Sequence, residues 1–404
     1  MRVLLLTPWY PPGAGGFVRA HAKAAALHNE VVVLHMAGRC PHLRRRYLVE
    51  REPDEALTAG IPTYRVRHRC AAVPGWSFLW ETYSTFRAFR QLWAGGFRPD
   101  LLHAHVFDAG FAAVLLGKRY GLPVVISEHF SSFLMKTLSR RQVRKARFAF
   151  ARARLVLPIS LALQHAIEAY GIRARFRVVP NPVDTATFRP KVAPPAEPAR
   201  RLLSVGFYDG RHLKGIPVLL RSLAALRGTR ADWRLDIVGD GPAREGYVKT
   251  AADLGLLDKV SFLGARPHGE VAERMRGADL VVVSSLCETF SIVAIEALAT
   301  GTPVLATRCG GPEEFITPEV GMLVPPNDEA ALCRGIDYML DHLSDFPPSR
   351  LSEYAAQRFS LASVGRQLHA AYEECLNRPA VPFGASGGAG TRGPGAGARP
   401  GAGP

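Results

Sequence analysis

The stretch Leu280-Val-Val-Val-Ser-Ser-Leu-Cys-Glu-Thr-Phe-Ser-Ile-Val-Ala-Ile-Glu-Ala-Leu-Ala-Thr-Gly-Thr-Pro-Val-Leu-Ala306 carries a complete strand-helix-strand unit. Leu280–Ser284 is a short apolar run of strand length, Phe290–Ala299 has the length and composition of a helix, and Pro303–Ala306 is a second strand. Glu288 and Glu296 stand eight residues apart within it, so Glu296 falls in the helix and Glu288 in the loop before it. Glu296 is flanked by Ile295, Ala297 and Leu298, and an acid in so apolar a segment calls for a partner. The backbone N–H groups of Phe290, Ser291 and Ile292 fall at the helix start, free of intrahelical acceptors and ready for an anion. The two acids could then take hydrogen bonds from hydroxyls on either side of that anion, as in a nucleotide diphosphate sugar. A capped surface helix with a chance pair of Glu is the plainer alternative.

The same alternation extends outward. Upstream come strands Arg201–Val205, Trp233–Val238 and Val260–Leu263, with a helix over Ile216–Leu226. A Pro- and Ala-rich stretch, Pro190–Pro198, reads as a linker. Ahead of it the pattern is already present: strands Val3–Leu6, Val31–His35, Leu101–His103, Val124–Ser127 and Leu155–Ile159, and an Ala-rich helix over Phe17–His28. Arg177–Val179 leads into Pro180-Asn-Pro-Val-Asp184. This order predicts the α/β class, with two doubly wound parallel sheets whose carboxyl ends face a common cleft. The expected divisions are residues 1–185, 186–360, a C-terminal helix over 361–378 packing back on the first domain, and a disordered Gly/Ala/Pro tail over 379–404. A length of 404 residues agrees with two cores rather than one.

Three further segments bear on chemistry. Pro8-Trp-Tyr-Pro-Pro-Gly-Ala-Gly-Gly16 joins a strand to a helix, and Gly15 and Gly16 let backbone approach an anion at the helix start, or else serve a tight turn. Val238-Gly239-Asp-Gly-Pro242 is a second glycine turn after a strand, again structural or anion-binding. Lys214-Gly215 opens another helix three residues after Arg211, where a Lys can meet a diphosphate as a point charge.

Taken in order, Tyr10-Pro-Pro-x-x-Gly15-Gly16, Pro180-Asn-Pro-Val-Asp184, Lys214-Gly215, Val238-Gly-Asp-Gly-Pro242, the Glu-x7-Glu pair, Gly301-Thr-Pro-Val304 and Gly310-Gly-Pro-Glu-Glu314 resemble the retaining glycosyltransferases of family 4, over about residues 1–378. The resemblance implies a GT-B fold and transfer of a sugar from a nucleotide diphosphate sugar, UDP or GDP, to an acceptor hydroxyl without a bound metal or other cofactor. Carried over by position, Gly15, Gly16 and Gly239 border the donor, Lys214 neutralises the diphosphate, and Phe290, Ser291 and Ile292 offer it their amides. Glu288 holds donor-sugar hydroxyls, Glu296 the ribose, and His129 of Ser-Glu-His129 the donor sugar. Two departures stand out. Gly206-Phe207 replaces the usual Gly-Arg, leaving Arg211 to take that role from a shifted position, and Ser291 replaces a usual Gly.

The net charge of +16 lies in one half: residues 1–185 hold 27 Lys and Arg against 11 Asp and Glu, and the rest hold 24 against 24. Lys136 and Arg140, Arg141, Arg144, Lys145, Arg147, Arg152 and Arg154 form its main cluster, read as one helix over 139–154 whose apolar arc is Val143, Ala146, Ala149, Phe150 and Ala153. That face is simply solvated, meets an anionic membrane surface, which suits a lipid-linked or membrane glycan acceptor, or meets an acidic soluble or small-molecule acceptor or a partner. A nucleic-acid module is not recognisable, so nucleic acid is not an expected partner; a nucleotide-sugar epimerase on the same scaffold is the enzymatic rival. The six cysteines show no CxxC spacing and no apolar run reaches membrane-spanning length, so a reducing, cytoplasmic setting is expected, either soluble or peripheral on the inner membrane face.

Overall fold

The computed structural model describes residues 1–12, 15–40, 42–69, 77–190 and 199–377. Most of the expected linker and the whole 379–404 tail lie outside the described residues.

The first sheet is built from β1 (Arg2–Thr7), β2 (Glu30–Arg39), β3 (Tyr47–Arg51), β4 (Thr63–His68), β5 (Leu101–His105), β6 (Val124–Glu128) and β7 (Leu155–Pro158), in spatial order β3-β4-β2-β1-β5-β6-β7. All neighbours are parallel except β3, which runs antiparallel to β4 at the edge. Its helices are α1 (Gly16–Ala26), α2 (Glu55–Thr58), α3 (Ser77–Ala94), α4 (Val106–Tyr120), α5 (Arg140–Phe150) and α6 (Leu161–Ala169). Strands β5, β6 and β7 are buried along their whole length, which is why they read as unbroken apolar runs: helices cover both faces.

The second sheet, order β10-β9-β8-β11-β12-β13, is parallel throughout. Its strands are β8 (Arg200–Val205), β9 (Trp233–Val238), β10 (Val260–Gly264), β11 (Leu280–Val283), β12 (Val304–Thr307) and β13 (Gly321–Val324). Its helices are α7 (Ile216–Leu226), α8 (Arg244–Asp253), α9 (His268–Gly277), α10 (Ile292–Ala299) and α11 (Glu329–Asp341), followed by α12 (Pro348–Phe359) and α13 (Leu361–Leu376). Among the parallel strands of each sheet the order reverses once, at β1 in the first and at β8 in the second. The loops that leave those strands open into the crevice where such sheets take ligands.

Helix α13 and the Glu314 carboxylate are among the contacts that join the domains. Helix α13 lies on α1, where Val364, Leu368, Ala371, Tyr372 and Cys375 share a buried cluster with Val3, Leu5, Val18 and Ala22. The Glu314 carboxylate accepts the N–H groups of Leu161 and Ala162 at 2.8 and 2.7 Å, filling the orphan donors at the start of α6.

Two helix boundaries correct the sequence reading. Helix α10 begins at Ile292, because Ser291 has φ 76° and cannot be helical; Phe290 and Ser291 lie ahead of the helix. Helix α5 starts on a Ser139–Gln142 capping box and ends at Phe150. Beyond it Arg154 N–H bonds Val124 O and the chain turns into β7, so Arg152, Ala153 and Arg154 are not on the helix.

Candidate active site

The second-domain half is assembled by close backbone contacts that only glycine permits. A Cβ on Gly215 (φ 63°) would lie 1.9 Å from Ser284 O, and one on Gly311 would lie 2.3 Å from Phe290 Cα. These approaches bring the loops after β8, β11 and β12 together. The Lys214 ammonium then meets Glu288 Oε1 at 2.7 Å, and Ser285 Oγ donates to the same oxygen at 2.7 Å. Glu288 is further pinned through its backbone, with its N–H on Cys309 O and its carbonyl accepting from Gly311 N–H. Burial disfavours the Lys214 charge, but the Glu288 carboxylate outweighs it and holds the pKa above the usual lysine value.

Glu296 lies on the first turns of α10, 8% exposed, and burial alone raises its pKa to about 8. The sequence called for a partner, and among the described residues no hydrogen bond or ion pair reaches its carboxylate. Instead it borders a cavity of about 300 Å³ that also touches Gly16, Lys23, Asp184, His268 and Ile292, and so lies between the domains. On the far side α1 is preceded by its N-cap residue Gly15, whose φ of 117° and close approach to Trp9 exclude any side chain. Among the described residues no side chain caps α1 or α10, so two such helix starts border one cleft. Among the described residues, the N–H groups of Phe290, Ser291 and Ile292 have no acceptor.

Other expected residues are placed differently. Gly239 N–H already bonds Gly264 O, and its missing Cβ makes room for Gly206 O, so its part is close packing rather than a free amide. Arg211 is exposed and paired with Asp209 at 2.9 Å, with Nη1 3.7 Å from Met135 Sδ of the first domain; it stands at the rim, held by its own loop. Phe207 is 66% exposed beside it.

His129, at the end of β6, is buried among residues that sequence reading missed. Its Nε2 lies 3.0 Å from His105 Nδ1, its ring packs on Phe17 at 4.8 Å, and His21 stands edge-on to both histidines. His21 Nε2 is 3.0 Å from Asn181 Oδ1, which places the Pro180-Asn-Pro motif in the same cluster. Glu128 ties the loops together, accepting the N–H groups of Phe107, His129 and Phe130, each at 2.9 Å. Desolvation holds His129 and His105 neutral, far below the usual imidazole pKa, and His21 at about 4. The one available signal was the spacing His103-Ala-His105, two histidines on one face of a strand that ends at the cleft.

Comparison with known proteins agrees with this geometry. Residues 13–187 match the model of Glycosyltransferase Family 4 and residues 187–358 that of glycosyl transferases group 1, meeting at the boundary between the two sheets. A D-inositol 3-phosphate glycosyltransferase of Corynebacterium jeikeium is 31% identical over 308 residues, covering 69% of this chain and 73% of that one. The chain belongs to glycosyltransferase family 4. Its relatives of the same description are matched over less of their length: the chain spans 60% of the Acidothermus cellulolyticus protein, at 32% identity, and 55% of that from Segniliparus rotundus. Among solved structures, Anabaena HepE in complex with UDP superposes with a TM-score of 0.73 at 22% identity, over 93% of this chain and all of that one, which shows the GT-B fold of this family 4 member.

Proposed function

We propose that this chain is a retaining glycosyltransferase that moves a sugar from a nucleoside diphosphate donor, UDP or GDP, to an acceptor hydroxyl. The observation that carries the reading is the pair of uncapped helix starts, α1 and α10, bordering one inter-domain cavity beside the Lys214–Glu288 pair. A diphosphate between them meets the amides of Gly16 and of Phe290 to Ile292, and Lys214 shifts from Glu288 alone to a position shared with the phosphate. The family 4 relatives and the UDP bound to HepE support a nucleotide donor.

On this reading the negative charge that grows on the leaving diphosphate is met where it develops by preorganised amides and Lys214. Glu288, released in part from Lys214, takes sugar hydroxyls, and buried Glu296 gains ribose hydroxyls as its missing partners. The acceptor hydroxyl attacks the same face that the diphosphate leaves and passes its proton to the departing phosphate. A thermal-shift panel of nucleoside diphosphates and their sugars, followed by NMR of the product's anomeric proton, tests this. Absence of any nucleotide response, or an inverted product, overturns it.

For the acceptor we propose a lipid-linked or membrane-associated glycan, approached from the basic first domain. Lys136, Arg140, Arg141, Arg144, Arg147 and Arg152 remain exposed, whereas Lys145 pairs with Asp108 and Arg154 bonds Cys375 O. Sedimentation with anionic and neutral vesicles at low and high salt decides it; equal recovery in both supernatants excludes a membrane role.

A further inference from the structure

We propose that His105 is a positioning residue for sugar transfer, holding His129 so that a single ring nitrogen, Nδ1, faces the donor sugar. The inference rests on the reading of His129 as a donor-sugar contact and adds a residue to it.

Four imidazoles sit at the carboxyl ends of β5 and β6 and on α1. His21, His103, His105 and His129 are all buried, the most exposed at 7%. Buried and neutral, each ring carries one N–H and one lone pair. His103 has both nitrogens occupied, at 2.8 Å from Tyr372 Oη and 2.8 Å from Ser127 Oγ. His105 and His129 are different. They share one hydrogen bond, Nδ1 to Nε2, while His105 Nε2 and His129 Nδ1 are buried without a partner among the described residues. A buried polar atom without a partner is costly, and the cost is sustained where a ligand completes it. The two neutral rings hold two protons, one of them inside the shared bond. Whichever ring donates, the outer nitrogens are left with one N–H and one lone pair. A sugar hydroxyl both donates and accepts, so it can complete His129 Nδ1 in either arrangement. The His105 bond ties the two tautomers together and leaves Nδ1 as the nitrogen His129 can offer.

The backbone points the same way. His105 is the N-cap residue of α4, but its side chain makes no cap and turns to His129 instead. The next residue, Val106, has φ 62°, a conformation that β-branched residues avoid because Cβ meets the backbone. Glu128 then clamps the result, accepting N–H from Phe107 on one side and from His129 and Phe130 on the other. Strain at Val106 and the Glu128 clamp together fix the angle at which one histidine meets the other.

The test compares His105→Leu, His105→Asn and the double variant with His129→Ala, with kcat and donor KM measured separately. His105→Leu removes the bond and is expected to lower kcat by roughly 10- to 100-fold with donor KM within about 3-fold, the scale of a misplaced contact. Asn carries an amide near the position of imidazole Nδ1 and should return kcat to within about 3-fold of wild type. In the His129→Ala background, His105→Leu should change kcat no further. An unchanged kcat in His105→Leu, or an additive loss in the double variant, overturns the role. Long-range 1H–15N spectra of the unliganded wild type give a readout independent of activity and of variant folding. They should show His105 and His129 both as Nδ1–H or both as Nε2–H, in matching proportion, and tautomers that do not match overturn the proposal. A wild type that transfers no sugar from any donor removes the functional reading instead, leaving the tautomer result standing.

Discussion

Replacing Glu296 by Gln should stabilise the protein at neutral and alkaline pH while weakening nucleotide binding. The carboxyl has a pKa of about 8 in the folded chain against an ordinary 4.5. Folded Glu296 therefore holds its proton where the unfolded chain has lost it, and stability falls as pH rises between those two values. Each pH unit in that window is worth about 1.4 kcal/mol. The contribution present below pH 4.5 is thus reduced by roughly 3 kcal/mol at pH 7 and by roughly 5 kcal/mol above pH 8, as an order of magnitude. Gln has nearly the same shape and no charge to desolvate. Urea unfolding of wild type and Glu296→Gln at pH 5.5 and 8.5 should show the variant's advantage growing by about 3 kcal/mol across that interval. Other titrating groups, such as Glu128 with its pKa raised to about 7 by burial, are common to both proteins and cancel in the difference. An advantage that is flat with pH to within about 1 kcal/mol would show that Glu296 is not an unpaired buried acid, and the argument that a ribose supplies its partner would fall with it.

Lys214→Ala should lower turnover by roughly 100-fold or more in an initial-rate assay with saturating donor, because one preorganised cation is lost where charge develops. Activity within a few-fold of wild type would refute that role. Gly215→Ala places a methyl 1.9 Å from Ser284 O at a left-handed residue and should displace the Lys214 loop; loss of nucleotide-induced thermal stabilisation reports it, and an unchanged response contradicts the contact. Tyr372→Phe removes the hydroxyl partner of His103 and should cost about 1–3 kcal/mol in urea unfolding, a measure of how firmly α13 is tied to the first sheet.

Much of the architecture was legible along the chain because strands buried on both faces leave unbroken apolar runs. Leu101–His103, Val124–Ser127 and Leu280–Ser284 were readable for that reason. Half-exposed β3 and the helix over Ser77–Ala94 were not, since mixed polarity gives no such mark. The α10 start was misread by two residues because a Ser at φ 76° occupies a place where sequence offers no glycine to signal the break. Lys214, Glu288 and Glu296 were recognisable as motif residues, whereas their pairing was not: Lys214 and Glu288 are 74 residues apart and meet only because glycines let three loops close on one another.

Local sequence thus decided which segments became strands and helices and which family the motifs belong to, since periodicity, glycine turns and motif spacing are properties of neighbours in the chain. Tertiary structure decided the electrostatics. Whether a histidine is neutral, a lysine paired or an acid without a partner depends on what folding removes from water and what it brings alongside. His105 meets His129, and Glu296, without a partner among the described residues, borders a cavity, through contacts between distant segments that no local pattern encodes.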